Sequence, residues 1–131
     1  MGIHHIEFWV RNWTLSRPFY DGLFRLVGWK KTSPVAYFNN ETEIYFVEKP
    51  GLEKQSTVGP RHICLTAGNR ETVESVSLWL KRQKAEIIRG PVEIPQYSPG
   101  YYTVDFRDPD GYIWEVAYAP NMKLTEMEGQ Q

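Results

Sequence analysis

Two histidines occupy equivalent positions in a repeated stretch of this 131-residue sequence. The segment His5–Asn12 (HIEFWVRN) aligns without a gap with His62–Asn69 (HICLTAGN), and the His, the Ile and the Asn are identical. A fold that brought the repeats together would place both imidazoles around one divalent ion, since neutral imidazole is a common ligand of such ions. An isolated histidine at a strand start is otherwise a solvated or hydrogen-bonded residue, and that interpretation stays open for each.

Glu115 is the carboxylate whose predicted position matches the two histidines. In a strand, alternate side chains point to opposite faces, and the apolar Trp114 and Val116 belong on a face that a helix covers. Glu115 then points to the other face, which also carries His5 and His62. A lone carboxylate in a central strand is costly to bury unless it is paired or bound to a cation. The alternative is that Glu115 lies on an exposed edge.

Two imidazoles and one carboxylate, with positions left open for water or substrate, suit a catalytic divalent ion. We therefore expect His5, His62 and Glu115 to be metal ligands. Zn, Ni, Mn, Fe and Co all accept such a donor set, and the sequence does not distinguish among them.

The elements that would position these ligands follow from the apolar pattern. Each histidine begins a stretch in which apolar and polar residues alternate, which predicts a strand. An Asn follows each stretch and can cap a helix, which predicts helices from about Trp13 to Leu26 and from about Arg70 to Lys84. The further predicted strands are Pro34–Phe38, Glu43–Glu48, Ala85–Arg89, Tyr101–Arg107 and Tyr112–Tyr118, the last two joined by the turn DPDG at 108–111.

This order, a strand, a helix and three strands given twice, predicts an α+β fold of two tandem βαβββ modules. Helices would cover one face of each curved, mixed sheet, and the other faces would enclose a metal-binding cavity. We expect a single domain over residues 1–131. Module 1 would span about 3–50, a linker 49–61, module 2 about 61–120, and a loose tail 121–131.

The same alternation puts further side chains on the cavity face. Glu7 and Asp105 are candidate catalytic bases, although a charge at the solvated rim of the cavity is the simpler interpretation of each. Ordinary packing would also explain the aromatic members of the predicted pocket. The candidate pocket residues are Trp9, Tyr45, Tyr97, Tyr101 and Thr103.

Two further segments bear on the site. The loop at 91–100 contains three prolines and is expected to lie over the metal, with Tyr97 reaching towards substrate. A structural spacer is the alternative interpretation of this loop. His4 should point to the opposite face from His5, and we do not expect it to be a ligand.

The composition excludes several classes of partner. The chain has 15 Lys and Arg against 16 Asp and Glu, so it lacks the basic excess that binds nucleic acid or an anionic membrane. The single cysteine, Cys64, excludes an intrachain disulfide and fits a reducing compartment. No stretch approaches the roughly 20 apolar residues of a membrane span. We expect a cytoplasmic protein that binds a small-molecule substrate.

The sequence resembles the vicinal oxygen chelate superfamily over about residues 3–120. The resemblance is carried by the repeated His-Ile-x-[Phe/Leu] strand starts, the DPDG hairpin and the glutamate four residues after it. This superfamily includes glyoxalase I, the fosfomycin resistance enzymes, extradiol dioxygenases, methylmalonyl-CoA epimerase and the bleomycin resistance proteins. The resemblance implies that His5, His62 and Glu115 bind a divalent metal, which chelates neighbouring oxygens of a small substrate.

The resemblance also bears on a fourth ligand and on assembly. Superfamily members with four ligands carry a further Glu in the last strand of module 1. Counting back from the prolines that follow the two last strands puts Tyr45 opposite Glu115, whereas a two-residue slip would make Glu43 that ligand. The resemblance further suggests a two-fold homodimer in which module 1 of one chain meets module 2 of the other.

Two classes of function remain. One is a metal-dependent lyase, isomerase or dioxygenase, which the presence of all three ligand positions favours. The other is a drug-binding protein of the bleomycin resistance type, without metal catalysis. A fosfomycin resistance activity is disfavoured, because Glu7 stands where those enzymes have Thr. A glyoxalase I stays possible if Glu43 is a ligand, although Trp9 replaces its glutathione-binding Arg. An extradiol dioxygenase of the common long form would need four modules.

Overall fold

The computed structural model of the chain describes residues 2–53 and 59–122. The predicted order occurs twice, which confirms the α+β architecture of two tandem βαβββ modules. The first module contains β1 (His5–Val10), α1 (Trp13–Leu26), β2 (Lys30–Ser33), β3 (Ala36–Phe38) and β4 (Glu43–Glu48). The second contains β5 (His62–Thr66), α2 (Arg70–Arg82), β6 (Ile87–Glu93), β7 (Tyr102–Arg107) and β8 (Ile113–Tyr118). The predicted loose tail beyond residue 122 and the centre of the linker, 54–58, lie outside the described residues.

Each module forms its own four-stranded sheet. The strand orders are β1-β4-β3-β2 and β5-β8-β7-β6. The first strand of each module pairs in parallel with the last one, and the other pairs are antiparallel, so both sheets are mixed. The two sheets are separate and neither is closed, which leaves β1 and β5 as edge strands within one chain.

The two helices begin where the sequence predicts. The side chain of Asn12 accepts a hydrogen bond from the Leu15 amide at 3.2 Å, and that of Asn69 accepts one from the Thr72 amide at 2.8 Å. Each satisfies a donor that the first helical turn leaves open. α2 ends at Arg82, two residues before the predicted end, and the backbone turns at residues 83–84. Neither helix has the length and apolar composition needed to cross a membrane.

The apolar faces predicted from alternation are buried. Phe8 and Val10 of β1, and Trp114 and Val116 of β8, belong to one hydrophobic core that includes both modules. The Phe8 ring lies 5.2 Å from the Trp114 ring, so this core is continuous between them. The histidine-bearing faces of both sheets therefore lie on the side away from the core.

Two predictions about strands were wrong or incomplete. The sequence did not locate β2, because its four residues are polar and mostly exposed and carry no apolar alternation. β6 extends to Glu93, so residues 91–93 are strand and the loop is shorter than 91–100. Pro91 is tolerated there because β6 is an edge strand, where a missing N–H leaves no ladder bond broken. The pairing with β7 shifts between Arg89 and Val92, at this irregular point.

The turn between β7 and β8 joins the modules. Asp108 accepts hydrogen bonds from the amides of Asp110 and Tyr112, both at 2.9 Å, and from the Tyr20 hydroxyl of α1. Asp110 accepts from the backbone amide of Arg11 at 2.9 Å and from its guanidinium at 3.1 Å. One short turn of module 2 thus holds both the end of β1 and the middle of α1.

The two helices meet where α1 carries a glycine. A Cβ built on Gly22 would lie 2.7 Å from three atoms of the Trp79 indole of α2, closer than a methyl group can approach. The residue is therefore glycine because of the helix–helix contact, although glycine lowers the helix propensity at that position.

Gly22→Ala is expected to destabilise the protein. Overpacking against the indole costs typically about 1–3 kcal/mol, which exceeds the gain in helix propensity of roughly 1 kcal/mol. The free energy of unfolding should be measured in urea, with Gly22→Ala also made in a Trp79→Leu background. We expect the alanine to be neutral or stabilising there. An equal loss in both backgrounds would mean that the Trp79 contact is not its cause.

Candidate metal and substrate site

His62 and Glu115 come together on the uncovered face of module 2. His62 begins β5, and Glu115 lies on β8, the strand paired with it. The His62 Nε2 atom is 3.2 Å from Glu115 Oε1. The His62 side chain is 41% exposed, whereas the Glu115 side chain is only 5% exposed. The pair thus presents an accessible imidazole beside a nearly buried carboxylate.

Two hydroxyl groups hold the carboxylate of Glu115. The Tyr101 hydroxyl donates to Oε2 at 2.5 Å, and the Thr103 Oγ1 lies 2.7 Å from the same oxygen. Burial, and then the neighbouring Glu115, raise the pKa of Tyr101, so its hydroxyl remains a donor. Both contacts use Oε2, and Oε1 stays directed towards His62. Glu115 Oε1 and His62 Nε2 therefore lie side by side, and a carboxylate oxygen with an imidazole nitrogen is a suitable pair of ligand atoms for a divalent ion.

A row of polar side chains crosses the sheet of module 2 through Glu115. Cys64, Glu115, Asp105 and Arg89 are successive register partners on β5, β8, β7 and β6. Partial burial, and next the Glu115 charge, raise the pKa of the Cys64 thiol to about 12, so it is protonated and a poor nucleophile. Burial first, and the Glu115 charge second, also raise the pKa of Asp105.

Arg89 is the residue of this row that sequence analysis missed. Its Nη2 lies 2.8 Å from Asp105 Oδ2, and its Nη1 is 3.4 Å from the Tyr97 hydroxyl. Among the described residues, Arg89 Nε and Asp105 Oδ1 are buried and have no hydrogen-bond partner. The alternation that placed Asp105 on this face would have placed Arg89 there too, had the pairing of β6 with β7 been considered. Tyr97 itself is 53% exposed, and its ring centre lies 5.2 Å from that of Tyr101.

The uncovered face of module 1 carries a second set of predicted residues. The Glu7 carboxylate accepts from the Trp9 indole N–H at 2.6 Å and from the Tyr45 hydroxyl at 2.8 Å. These two hydrogen bonds, that of Trp9 first, lower the pKa of Glu7. The Lys49 ammonium lies 4.9 Å from the centre of the Trp9 ring. His5 belongs to the same face, with its ring centre 5.8 Å from that of Tyr45.

The strand register relates Tyr45 to Glu115. Glu7 pairs with Tyr45 across β1 and β4, as Cys64 pairs with Glu115 across β5 and β8. Tyr45 therefore occupies in module 1 the position that Glu115 occupies in module 2. Glu43 pairs with His5 instead, and no two-residue slip brings it to the position of Tyr45.

The predicted ligands form two groups within one chain. His62 lies beside Glu115, whereas the His5 ring contacts His4 and Tyr45 of its own module. In residues 2–53 and 59–122, no three His, Cys, Asp or Glu side chains are close enough to hold a metal ion. A three-ligand site within one chain is therefore not formed by the described residues.

His4 lies on the same side as His5, against the sequence prediction. The two Nδ1 atoms are 2.9 Å apart, and the ring planes are nearly perpendicular at 86°. His4 precedes β1, so the strand alternation that would send it to the opposite face does not apply to it.

Several side chains of the predicted site, among them those of His62, Trp9 and Tyr97, are exposed within one chain. A cavity of about 310 Å³ lies between the modules, but none of the predicted site residues lines it. Its lining comes from residues 27–30 and 38–40 of module 1 and from residues 64–66 of β5.

Comparison with known proteins agrees with this architecture. The model of the Glyoxalase/Bleomycin resistance protein/Dioxygenase superfamily matches residues 2–116. A proposed glyoxalase from Bacillus halodurans is 23% identical, with a TM-score of 0.74 over 89% of this chain and 95% of that one. A glyoxalase/dioxygenase from Nostoc punctiforme is 18% identical, with a TM-score of 0.73 over 92% of each chain. A lactoylglutathione lyase from Agrobacterium tumefaciens is 17% identical, with a TM-score of 0.62 over 90% and 93%.

These likenesses differ in what they establish. A search of curated proteins found no match. At the identities of the solved structures, structural likeness shows the fold alone. The family model covers most of the sequence, and its match agrees with the two βαβββ modules. The chain belongs to the glyoxalase/bleomycin resistance protein/dioxygenase superfamily.

Proposed function

We propose that the protein is a divalent-metal-dependent lyase, isomerase or dioxygenase that acts on a small oxygen-bearing molecule. Its ligands would be His62 and Glu115 of one chain and His5 of a second chain. The observation that carries this proposal is the His62–Glu115 pair, 3.2 Å apart, with the other glutamate oxygen already hydrogen-bonded by two hydroxyls. Such support fixes the orientation of a metal-binding carboxylate.

The assembly that completes the site is a two-fold homodimer. Three observations support it: β1 and β5 are edge strands, no helix of residues 2–53 and 59–122 lies over the histidine-bearing faces, and His5 lies apart from the His62–Glu115 pair. An isologous dimer would cover both open faces and bring module 1 of each chain to module 2 of the other. Trp9, which is 45% exposed, would become part of a pocket wall.

In such a site, the ion and the protein side chains would contribute different parts of the chemistry. A bound divalent ion would supply Lewis acidity, which stabilises negative charge on a substrate oxygen. Asp105 is the better placed of the two candidate bases, because it is the register partner of Glu115 and its pKa is raised, whereas hydrogen bonds lower the pKa of Glu7. Both carboxylate oxygens of Glu7 are engaged by Trp9 and Tyr45, which suits it to orienting substrate.

His62→Ala is expected to weaken the binding of Zn²⁺ or Ni²⁺ at least 100-fold, roughly the effect of losing one of three protein ligands. Titration calorimetry on the metal-free protein measures this directly. Cys64→Ser is the matched control, since it changes the same face of β5 without removing a proposed ligand. If His62→Ala bound the ion as tightly as the parent, the ligand assignment would be wrong.

A parent that bound no metal but bound an aromatic drug would instead be a binding protein of the bleomycin resistance type.

A further inference from the structure

His4 and His5 form a contact whose chemistry depends on one proton. Their Nδ1 atoms lie 2.9 Å apart, which is a hydrogen-bond distance. Both side chains are exposed, and the rings meet edge to face, with their centres 5.2 Å apart. When both rings are neutral, a single proton lies between these two nitrogens.

The position of that proton decides what His5 can bind. If His5 Nδ1–H donates to His4, the Nε2 atom of His5 carries a free lone pair and can ligate a cation. If His4 donates, His5 carries its proton on Nε2, and that atom cannot bind a cation until the proton leaves. A histidine that binds a metal commonly donates its other ring N–H to a nearby acceptor, and His4 Nδ1 is such an acceptor.

The other neighbours of His5 do not take this role. The Tyr45 ring centre lies 5.8 Å from that of His5, and the hydrogen bond that the structure gives for its hydroxyl is to Glu7. In the repeat, the residue before His62 is Arg61, and a guanidinium cannot accept a hydrogen bond. His62 instead has its Nε2 beside Glu115. Of the two proposed histidine ligands, His5 alone is therefore preceded in the chain by a residue that can accept a hydrogen bond.

We propose that His4 is a positioning residue that holds His5 in the Nδ1–H tautomer and so presents its Nε2 to the metal. This inference rests on the proposed metal function. His4 contributes no ligand atom; it accepts the proton of His5 and fixes the orientation of that ring.

The tautomer can be measured without any metal. The protein has three histidines, so a long-range ¹H–¹⁵N correlation spectrum contains three ring systems. In the neutral form of each ring, the two nitrogen shifts identify the protonated atom. We expect the Nδ1–H form at His5 in the parent and the Nε2–H form in His4→Ala. His4→Asn should keep the parent's tautomer, because its Oδ1 takes the position of His4 Nδ1 and also accepts.

Metal affinity provides the second measurement. In titrations with Zn²⁺ alone, His4→Ala should bind about tenfold more weakly, within the 10–100-fold range for the loss of such a partner, and His4→Asn should stay within about threefold of the parent. An Nε2–H tautomer at His5 in the parent, or equal affinities for parent and His4→Ala, would overturn the proposal. Loss of binding in His62→Ala with no change in His4→Ala would leave the metal site standing and remove only the role of His4.

Discussion

Mixing His5→Ala chains with His62→Ala chains is expected to restore tight metal binding, which neither variant shows alone. In a dimer whose sites are shared, a mixed pair has one site that lacks both histidines and one site that is intact. The physical basis is the separation of His5 from the His62–Glu115 pair within each chain. With random exchange, half of the dimers are mixed, so about a quarter of the sites should recover.

The pairing of variants provides its own control. Glu115→Ala chains mixed with His62→Ala chains should not recover, because both changes fall in module 2 and every site then lacks one ligand. Glu115→Ala mixed with His5→Ala should recover like the first pair. Metal content per chain after exchange, with exchange proven by a mass-labelled chain, is the measurement. No recovery in any mixture would mean that each site is made within one chain, and the shared-site dimer would be wrong.

Asp108→Ala is expected to lower the free energy of unfolding by about 3 kcal/mol or more, since each buried donor left unpaired costs about 1–3 kcal/mol. The carboxylate accepts from the Tyr20 hydroxyl and, at 3.3 Å, from the Trp114 indole N–H, and both of those residues are fully buried. It also accepts from two amides of its own turn. Urea unfolding should be compared with Glu93→Ala, which breaks only an exposed pair with Arg70 and should cost less than about 1 kcal/mol.

The loss of stability caused by Asp108→Ala is expected to become smaller as the pH rises. Burial, its largest cause, raises the pKa of Asp108 from 3.8 to about 6 in the folded protein. The folded state then binds a proton more tightly than the unfolded state, so this residue's contribution to stability falls as pH rises from about 4 to about 6. The difference in unfolding free energy between parent and Asp108→Ala should therefore be larger at pH 4 than at pH 7. A difference that grew with pH would contradict the raised pKa.

The sequence predicted those features that depend on local pattern. The bounds of α1 follow from the Asn12 cap and the glycine after the helix, and the buried side of β8 follows from the alternation around Trp114. Even the pairing that sets Tyr45 against Glu115 could be counted from the two prolines. Each of these is decided within one module by side-chain periodicity or by one capping residue.

The features that the sequence could not predict depend on other interactions. β2 is polar and exposed, so its pairing with β3 leaves no periodic signal. The course of β6 through Gly90 depends on a positive φ of 95°, with the Thr103 carbonyl close by. His4, which contacts His5, precedes the first strand, so the alternation of a strand does not predict the direction of its side chain. How the modules pack, which separates His5 from Glu115, depends on contacts such as Gly22 with Trp79 that no single repeat contains.

The contacts that join the two modules suggest how this protein could acquire new specificities. The two modules are held together by the contact of Gly22 with Trp79, by the contact of the Phe8 and Trp114 rings, and by the hydrogen bond from Arg11 to the turn at 108–111. None of these uses a side chain of the histidine-bearing faces. Substitutions at exposed residues of those faces, such as Trp9 and Tyr97, can therefore accumulate with little loss of folding free energy, because surface changes away from such contacts usually alter stability by about 0.5 kcal/mol or less. A library randomised at these exposed positions should contain mostly folded members, and selection for a new ligand would act on recognition rather than on folding.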